Sequence, residues 1–459
     1  MKKAFGAQII ALLLVSAPAV AQQHQEALRL VTHETSFGSV DPGIIKKSLV
    51  ISPDCRRIAY IVHRNDKQLY VVDGVEQKTY DAVDNFVFSP DNRRSAYLAM
   101  LPDKQCIVVE GVEGKSYDAI LKAPPVFSPD SRHVTYAARR GEKSLVVQDG
   151  AEDKLYDAIG EGTLTFSPDS QHSAYMVQQG EKWLTVLDGK ESQEWDGVAD
   201  LGVRFSPDSK HVTYGALQGG KWMFVVDGVK GQPGDGLGLA VYSPDSRRLA
   251  ATLLRDGKWF LVTDGQETQA YEGANAILFS PDSRHLAFSA HREMMAFLVM
   301  DGTEGKRYDW VGGLAFSPDS KRMAYVGINA GKWHTIVDDI ESLEYDGIGD
   351  RGIVFSPDSR RVAYAVAKGQ IWHVVVDHLE RKEHDIAGGP ICFSPDSKHV
   401  AYLAQGADKW YIVVDGVQSK GYESFLAKAS LIFDTPTRLH TIAYQNGEFL
   451  RIEVEIQEP

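Results

Sequence analysis

The sequence is poor in cysteine and has no excess of positive charge. The 459 residues include three cysteines, Cys55, Cys106 and Cys392. These are too few for a disulfide scaffold or an array of zinc ribbons, and we predict no disulfide among them. Lys and Arg total 49 against 62 Asp and Glu, a formal net charge of −13. A chain this acidic is poorly suited to bind phosphate backbones, so no nucleic-acid partner is expected.

Motifs for catalysis and metal binding are also missing. The sequence contains no Gly-x-Ser-x-Gly nucleophile motif, and its fourteen histidines show no His-x-x-x-His or similar zinc-binding spacing. We therefore predict no metal ion, no cofactor and no catalytic residue. The expectation is a protein that is not an enzyme.

The sequence also has no apolar run that is long enough to span a membrane. Lys2-Lys3 and the apolar run 4–15 are followed by the small-residue triplet 19–21. The run is shorter than the roughly 20 residues that cross a bilayer. The layout is typical of a secretory signal peptide over residues 1–21, and the mature chain 22–459 is predicted to be soluble, in the periplasm or outside the cell.

What the sequence does contain is one short unit repeated along nearly its whole length. A Ser-Pro-Asp motif recurs at intervals of 37–39 residues, and an eroded eleventh copy begins near Phe433. The ten motifs begin at Ser52, Ser89, Ser128, Ser167, Ser206, Ser243, Ser280, Ser317, Ser356 and Ser394. No interruption within 46–456 is long enough for a separate domain.

One repeat predicts four short β-strands. Residues 203–205 form an apolar run before the Ser-Pro-Asp turn, and 211–216 and 222–226 are strand-like segments separated by glycines. Asp227-Gly228 is a favoured hairpin dipeptide, and a weaker strand follows it. Helical periodicity is missing throughout, so the predicted fold is all-β, with about eleven four-stranded blades of a β-propeller.

Two stretches carry a resemblance to a known family. Phe-Ser-Pro-Asp-Ser-Lys-Arg-Met-Ala-Tyr (316–325) and Phe-Ser-Pro-Asp-Ser-Arg-Arg-Val-Ala-Tyr (355–364) resemble the repeats of TolB-like, WD-repeat-related β-propellers. Similar blades occur in propeller domains of prolyl-oligopeptidase-type peptidases. The resemblance implies a propeller with an envelope-associated interaction role. The α/β domain of TolB proteins has no room here, and the peptidases' hydrolase domain is missing.

The number of repeats leaves two arrangements open. Eleven units exceed the usual four to eight blades of one propeller. They either divide between two adjoining rings, which we slightly favour, or close one unusually wide ring. The last repeat offers three strands, and we predict that an N-terminal strand near 27–31 completes it, because an unpaired sheet edge invites aggregation.

Recurring charged residues have structural explanations. The Asp of each Ser-Pro-Asp is expected to bind backbone amides of its own turn, and Tyr-Asp pairs such as Tyr308-Asp309 are expected to lock the connection between blades. A basic pair follows most motifs, as in Arg247-Arg248. These pairs either attract an anionic partner or are neutralised by hairpin acids such as Asp227 and Asp264, and we favour neutralisation.

Tryptophans recur at one position, five residues before the hairpin Asp. They are Trp183, Trp222, Trp259, Trp333, Trp372 and Trp410. They either pack between neighbouring blades or form an aromatic surface for a partner. We take the face that carries them as the candidate partner-binding surface. Replacing Trp222, Trp259 and Trp333 with alanine is then expected to abolish partner capture without unfolding the chain.

The predicted function is an exported, non-enzymatic propeller that binds a protein or an envelope component. The alternative is a hydrolase or lyase with a site at a channel mouth, and a cation or glycan binder is a third reading. The candidate acids for an enzyme lie in the blade connections, at Asp84, Glu161, Asp200 and Asp350. The oligomeric state is not predicted.

Overall fold

The structure, a computed structural model, describes residues 28–349, 352–381, 386–387, 390–406, 408–426 and 429–457. The predicted signal peptide, 1–21, lies outside the described residues, as do Ala27 and the candidate acid Asp350. None of the described helices is long and apolar enough to cross a membrane.

Eleven antiparallel sheets follow one another along the chain, and each is one blade, numbered here in chain order. The described residues include one short 3-10 helix, Lys46–Ser48. The strands of blades 1 to 4, from the innermost outward, are Val50–Ile51, Ile58–Arg64, Lys67–Val72 and Val75–Glu76; Ala82–Phe88, Ser95–Met100, Gln105–Val109 and Val112–Glu113; Ala119–Ile120 with Val126–Phe127, Val134–Arg140, Lys143–Gln148 and Ala151–Glu152; and Ala158–Ile159 with Thr165–Phe166, Ser173–Gln179, Lys182–Leu187 and Lys190–Glu191.

Blades 5 to 11 continue the same order. Their strands are Gly197–Val198 with Arg204–Phe205, Val212–Gln218, Lys221–Val226 and Val229–Lys230; Gly236–Tyr242, Leu249–Arg255, Lys258–Thr263 and Gln266–Glu267; Gly273–Phe279, Leu286–Arg292, Met295–Met300 and Thr303–Tyr308; Trp310–Phe316, Met323–Asn329, Lys332–Val337 and Ile340–Glu341; Gly347–Ile348 with Val354–Phe355, Val362–Lys368, Ile371–Val376 and Leu379–Glu380; Ile386–Ala387 with Cys392–Phe393, Val400–Gly406, Lys409–Val414 and Val417–Gln418; and Ser424–Phe425 with Ile432–Thr435, Arg438–Gln445, Glu448–Gln457 and Arg29–Ser39.

The interval between motifs decides the form of the innermost strand. After an interval of 37 residues this strand is continuous with a bulge, as in Gly273–Phe279, where the register shifts between Asn275 and Leu278. After 38 or 39 residues it is split in two by a turn, as in blade 5, where Gly202 has a φ of +68°. The extra residues therefore lie in the turn that divides the innermost strand.

The blades form a single wide ring, which confirms the β-propeller. Buried apolar clusters join neighbouring blades; one such cluster contains Tyr70 of blade 1 and Tyr97 of blade 2. The last blade packs on the first through Ile58, Ile442 and Phe449. Because blade 11 contacts blade 1, the slight preference for two adjoining rings is corrected. The local sequence does not encode how neighbouring blades are inclined, and that inclination sets the number of blades in a ring.

An N-terminal strand is the outermost strand of blade 11. Arg29–Ser39 pairs antiparallel with Glu448–Gln457, from Arg29 opposite Gln457 to Ser36 opposite Leu450. Leu30 packs against the cluster shared by blades 10 and 11. The two ends of the described chain thus close the ring, and the strand extends eight residues past the predicted Val31, to Ser39, with a register shift between Ser36 and Ser39.

Most Ser-Pro-Asp turns are held both within their own blade and to the next blade. In blade 8, Ser317 Oγ donates to Asp319 (2.7 Å), which also accepts from the Lys321 amide (3.1 Å). The Asp319 amide donates to Ser359 Oγ of blade 9 (2.9 Å). The same bond between blades recurs from blade 2 to blade 10. The aspartates therefore have a structural role.

Ser283→Ala is expected to lower the free energy of unfolding by about 1 kcal/mol, because it leaves the part-buried Asp245 amide without its acceptor at 2.9 Å. Urea unfolding measures the change. Ser116→Ala, at an exposed position, is the matched control and should change the urea midpoint very little. Equal midpoints for both variants would show that the bond between blades contributes nothing.

The Tyr-Asp pairs join consecutive blades. Asp346 accepts from the Lys332 ammonium of blade 8 (2.6 Å) and from the Gly369 amide of blade 9 (2.6 Å). Tyr345 donates its hydroxyl to Glu380 of blade 9 (3.0 Å). The Lys332 hydrogen bond, with help from the amide, holds the pKa of Asp346 below its usual value. The pair thus anchors the connection on both sides, as the sequence predicts.

Candidate interaction surface

The ring has two faces with different chemistry. The turn face carries the Ser-Pro-Asp turns and the Asp-Gly hairpins. The connection face carries the hairpins between second and third strands and the links between blades. Alternating strand directions put each recurring residue type on the same face in every blade. The two faces can therefore be considered separately as binding surfaces.

On the turn face, the second residue of each basic pair is bound to the hairpin acid of its own blade. In blade 9, Arg361 Nε lies 3.0 Å from Asp377, and in blade 5, His211 Nδ1 lies 2.7 Å from Asp227. The full set is Arg57–Asp73, Arg94–Glu110, His133–Asp149, His172–Asp188, His211–Asp227, Arg248–Asp264, His285–Asp301, Arg322–Asp338, Arg361–Asp377 and His399–Asp415. The five arginines are therefore paired with hairpin acids as expected, and the five histidines make the same contact, which is an ion pair only when the histidine is protonated.

The first residue of each basic pair is exposed. These residues are Arg56, Arg93, Arg132, Lys210, Arg247, Arg284, Lys321, Arg360 and Lys398, with Gln171 in blade 4. Five of them lie near the Asp of their own turn, such as Arg284 at 3.9 Å from Asp282, and Arg56 binds Asp434 of blade 11 at 2.6 Å. These carboxylates offset part of the positive charge that the first residues of the pairs bring to the turn face.

On the connection face, all six predicted tryptophans are half-buried. Trp183, Trp259, Trp333, Trp372 and Trp410 lie against the apolar clusters that join their blades to the next. The backbone of Trp333 exchanges two hydrogen bonds with Tyr345, at 2.9 and 3.0 Å. In blade 2 the same position is Gln105, whose side chain accepts from the Ile120 amide of blade 3. This position therefore joins neighbouring blades and also leaves part of each indole exposed.

A further tryptophan is more exposed than most large apolar residues. Trp310 begins the innermost strand of blade 8, is 42% exposed, and its ring centroid is 6.1 Å from that of Trp333. Met294 in the blade 7 hairpin is 91% exposed and Ile371 in the blade 9 hairpin is 43% exposed. Three consecutive blades thus present Met294, Trp310, Trp333, Ile371 and Trp372, named here the blade 7–9 patch.

The sequence analysis did not predict the blade 7–9 patch, because it considered residues that recur from repeat to repeat and the patch residues depart from the repeat. Trp310 stands where Ala82, Ala119 and Ala158 stand in blades 2 to 4. Met294 takes the place of a hairpin glycine such as Gly220, and Ile371 that of a lysine. Alignment of the repeats on the Tyr-Asp pair was the signal that would have found these residues.

The residues considered for catalysis do not converge. Asp84, Glu161 and Asp200 are exposed and belong to different blades, 2, 4 and 5. Across the described parts of the chain, no group of three or more His, Cys, Asp or Glu side chains is arranged to hold a metal ion.

The three cysteines are thiols. Burial raises the pKa of Cys106 to about 11 and that of Cys392 to about 12. The Cys55 sulfur accepts from the Ser430 amide (2.9 Å).

No protein-family model matches the chain, and no curated protein sequence matches it. Similar solved structures include a eukaryotic initiation factor at 13% identity and TM-score 0.40, covering 72% of this chain and 96% of that one. The Dos1 propeller has 9% identity and TM-score 0.33, with 63% and 90% covered. TolB from Acinetobacter baumannii has 12% identity and TM-score 0.26, with 57% and 80% covered. Likeness at this level concerns the propeller fold and supports no functional argument.

Proposed function

We propose that the protein is an exported, non-enzymatic β-propeller that binds another protein in the cell envelope through its connection face. The observation that carries the proposal is the blade 7–9 patch. Met294, Trp310 and Ile371 are exposed apolar residues on three consecutive blades, at positions where other repeats have small or charged residues. Exposed apolar side chains grouped in this way are typical of protein-binding surfaces, and tryptophan is enriched at their energetic centres.

The repeats themselves suggest how to remove the patch without harming the fold. Met294 has a φ of +62°, a conformation that glycine adopts more easily. Alanine is the residue at the Trp310 position in three blades, and lysine is the residue at the Ile371 position in eight. The triple variant Met294→Gly, Trp310→Ala and Ile371→Lys therefore introduces, at each position, a residue that several other repeats carry there.

The mature triple variant is expected to keep the circular-dichroism spectrum and melting temperature of the wild type and to lose its partner. The measurement is capture from a solubilised envelope fraction on immobilised protein, quantified by mass spectrometry. Val112→Thr, which changes a 71% exposed residue at the outer edge of blade 2, is the control and should retain the partner. Recovery of the same proteins by the triple variant and the wild type would exclude this surface.

Alanine substitutions at Trp222, Trp259 and Trp333 would test the surface less specifically, because they would also affect folding. These indoles are half-buried, and Trp259 and Trp333 also pack against clusters between blades. Their removal changes the interior as well as the surface. The triple variant at exposed positions separates binding from folding.

A further inference from the structure

Blades 5 and 6 meet without the aromatic pair that joins several other neighbouring blades. One member of that pair is the aromatic residue of the Tyr-Asp connection, and the other lies two residues into the second strand of the next blade. Tyr308 and Tyr325 form such a pair with ring centroids 6.3 Å apart. Other examples are Tyr80–Tyr97, Tyr117–Tyr136, Trp195–Tyr214 and Tyr271–Phe288. At blades 5 and 6 the two positions are Gly234 and Ala251.

The missing rings leave a cavity of about 600 Å³ that opens on the turn face. Its apolar wall consists of Phe224, Val226, Tyr242, Ala251, Leu253 and Val262. Phe224 and Val262 are half-exposed, whereas their equivalents in the other nine full repeats are buried. The cavity therefore exposes side chains that belong to the interior elsewhere in the ring.

Other openings between blades on the turn face differ in their lining. Those between blades 3 and 4, 4 and 5, and 7 and 8 have volumes of about 510, 480 and 740 Å³. Each is lined by a tyrosine at the Ala251 position, namely Tyr175, Tyr214 or Tyr325. A ring from the chain itself thus occupies the place that is left open beside Ala251.

The charges around the cavity favour an anion. Lys230, Arg247 and Arg248 line it against Asp227 and Asp264, an excess of one positive charge with His211 neutral. The charged side chains that line the three other openings have a negative sum in each case. In a chain with a net charge of −13, this local excess makes the blade 5–6 cavity electrostatically distinct.

We propose that the blade 5–6 cavity binds a small aromatic anion, with the ring system against Phe224 and Val262 and the anionic group beside Arg247. Pockets for small molecules have this size and this mixture of apolar walls and few charged groups. Arg248 is held by Asp264 at 3.1 Å, and Lys230 by Gln218 at 2.7 Å. The exposed guanidinium of Arg247 is therefore the group assigned to the anion.

Naphthalene-2-carboxylate is the probe, and its neutral carboxamide is the matched control ligand. Isothermal titration of the mature chain is expected to show one site, with the carboxylate bound about tenfold more tightly than the amide. Arg247→Gln should remove the preference for the carboxylate. Arg284→Gln changes the equivalent residue of blade 7, 83% exposed, and should leave both affinities unchanged. Equal affinities of the wild type for the two ligands would overturn the anion assignment.

Filling the cavity tests the site itself. Ala251→Tyr restores the residue found at this position in eight other repeats, and it is expected to abolish binding of both ligands and to raise the melting temperature. Val262→Phe fills the cavity from another wall and reports on binding if the first variant does not fold. Wild-type affinity in a folded variant of either kind would overturn the site. A peptide ending in phenylalanine that binds more than tenfold tighter than the naphthoate would overturn the assignment to a small molecule.

Discussion

Deletion of residues 22–33 is expected to lower the melting temperature of the mature protein by about 10 °C or more. The deletion removes Arg29 to His33, the half of the N-terminal strand that pairs with Glu453 to Gln457. It also removes Leu30 from the cluster between blades 10 and 11 and leaves Glu448–Gln457 as a partly open sheet edge. Thermal unfolding followed by circular dichroism measures the loss.

Two controls make the result specific to ring closure. Deletion of residues 22–27 leaves the whole strand Arg29–Ser39 in place and should not change the melting curve. A synthetic peptide of residues 28–39, added to the shortened protein, should restore part of the lost stability by pairing with the open edge. A melting temperature within about 2 °C of the intact mature chain would show that this strand does not close the ring.

Lowering the pH is also expected to lower the melting temperature strongly, because many aspartates have a lowered pKa in the folded chain. In nine Ser-Pro-Asp turns, hydrogen bonds from the motif serine and a following amide lower the pKa of the aspartate below its usual 3.8; these residues are Asp91, Asp130, Asp169, Asp208, Asp245, Asp282, Asp319, Asp358 and Asp396. Lysine and amide hydrogen bonds do the same at Asp118, Asp157, Asp196, Asp235 and Asp346.

Because the folded-state pKa lies below that of the unfolded chain, these carboxylates stabilise the fold above pH 3.8, and their contribution is lost as the pH falls through the lower folded values. Each aspartate is exposed and contributes little alone, but unfolding takes up several protons together. We expect a melting temperature that varies little between pH 7 and about 5 and falls by about 10 °C or more by pH 3.

Asp282→Asn, Asp319→Asn and Asp358→Asn in one variant should lower the melting temperature at pH 7 and make its fall below pH 4 less steep. Asp66→Asn, Asp103→Asn and Asp408→Asn remove the same charge at exposed hairpin positions and are the control. Identical pH profiles for the two triple variants would mean that the repeated turns are not the source of acid sensitivity.

The strands and turns of each blade could be predicted from the sequence because each repeat contains all of the residues that determine them. Ser-Pro-Asp and Asp-Gly turns act over a few residues, so ten copies predict four strands each and a shared orientation on the two faces. The closure of all eleven blades into a single ring could not be predicted from the sequence, because it depends on how whole blades pack against each other. The pairing of Arg29–Ser39 with the last strand followed from a general rule about sheet edges, which requires no knowledge of ring size.

The candidate sites, in contrast to the strands and turns, could not be predicted from the recurring residues. The six tryptophans stood out by recurrence, and the structure finds them half-buried and partly engaged between blades. Trp310 and the Gly234–Ala251 gap are departures from the repeat, and a departure has meaning only when its neighbours in space are known. In a repeat protein, the recurring residues thus describe the scaffold, and the exceptions indicate where individual blades have acquired their own chemistry.

The pairing of Arg29–Ser39 with Glu448–Gln457 has a consequence for the order of folding. During synthesis the first of these strands emerges about 410 residues before its partner, so it has nothing to pair with until the end of the chain has been made. A prematurely ended chain that lacks Glu448–Gln457 would therefore leave the N-terminal strand unpaired. Such a truncated chain is expected to be open to proteases at this strand, from which pairing protects the full-length chain.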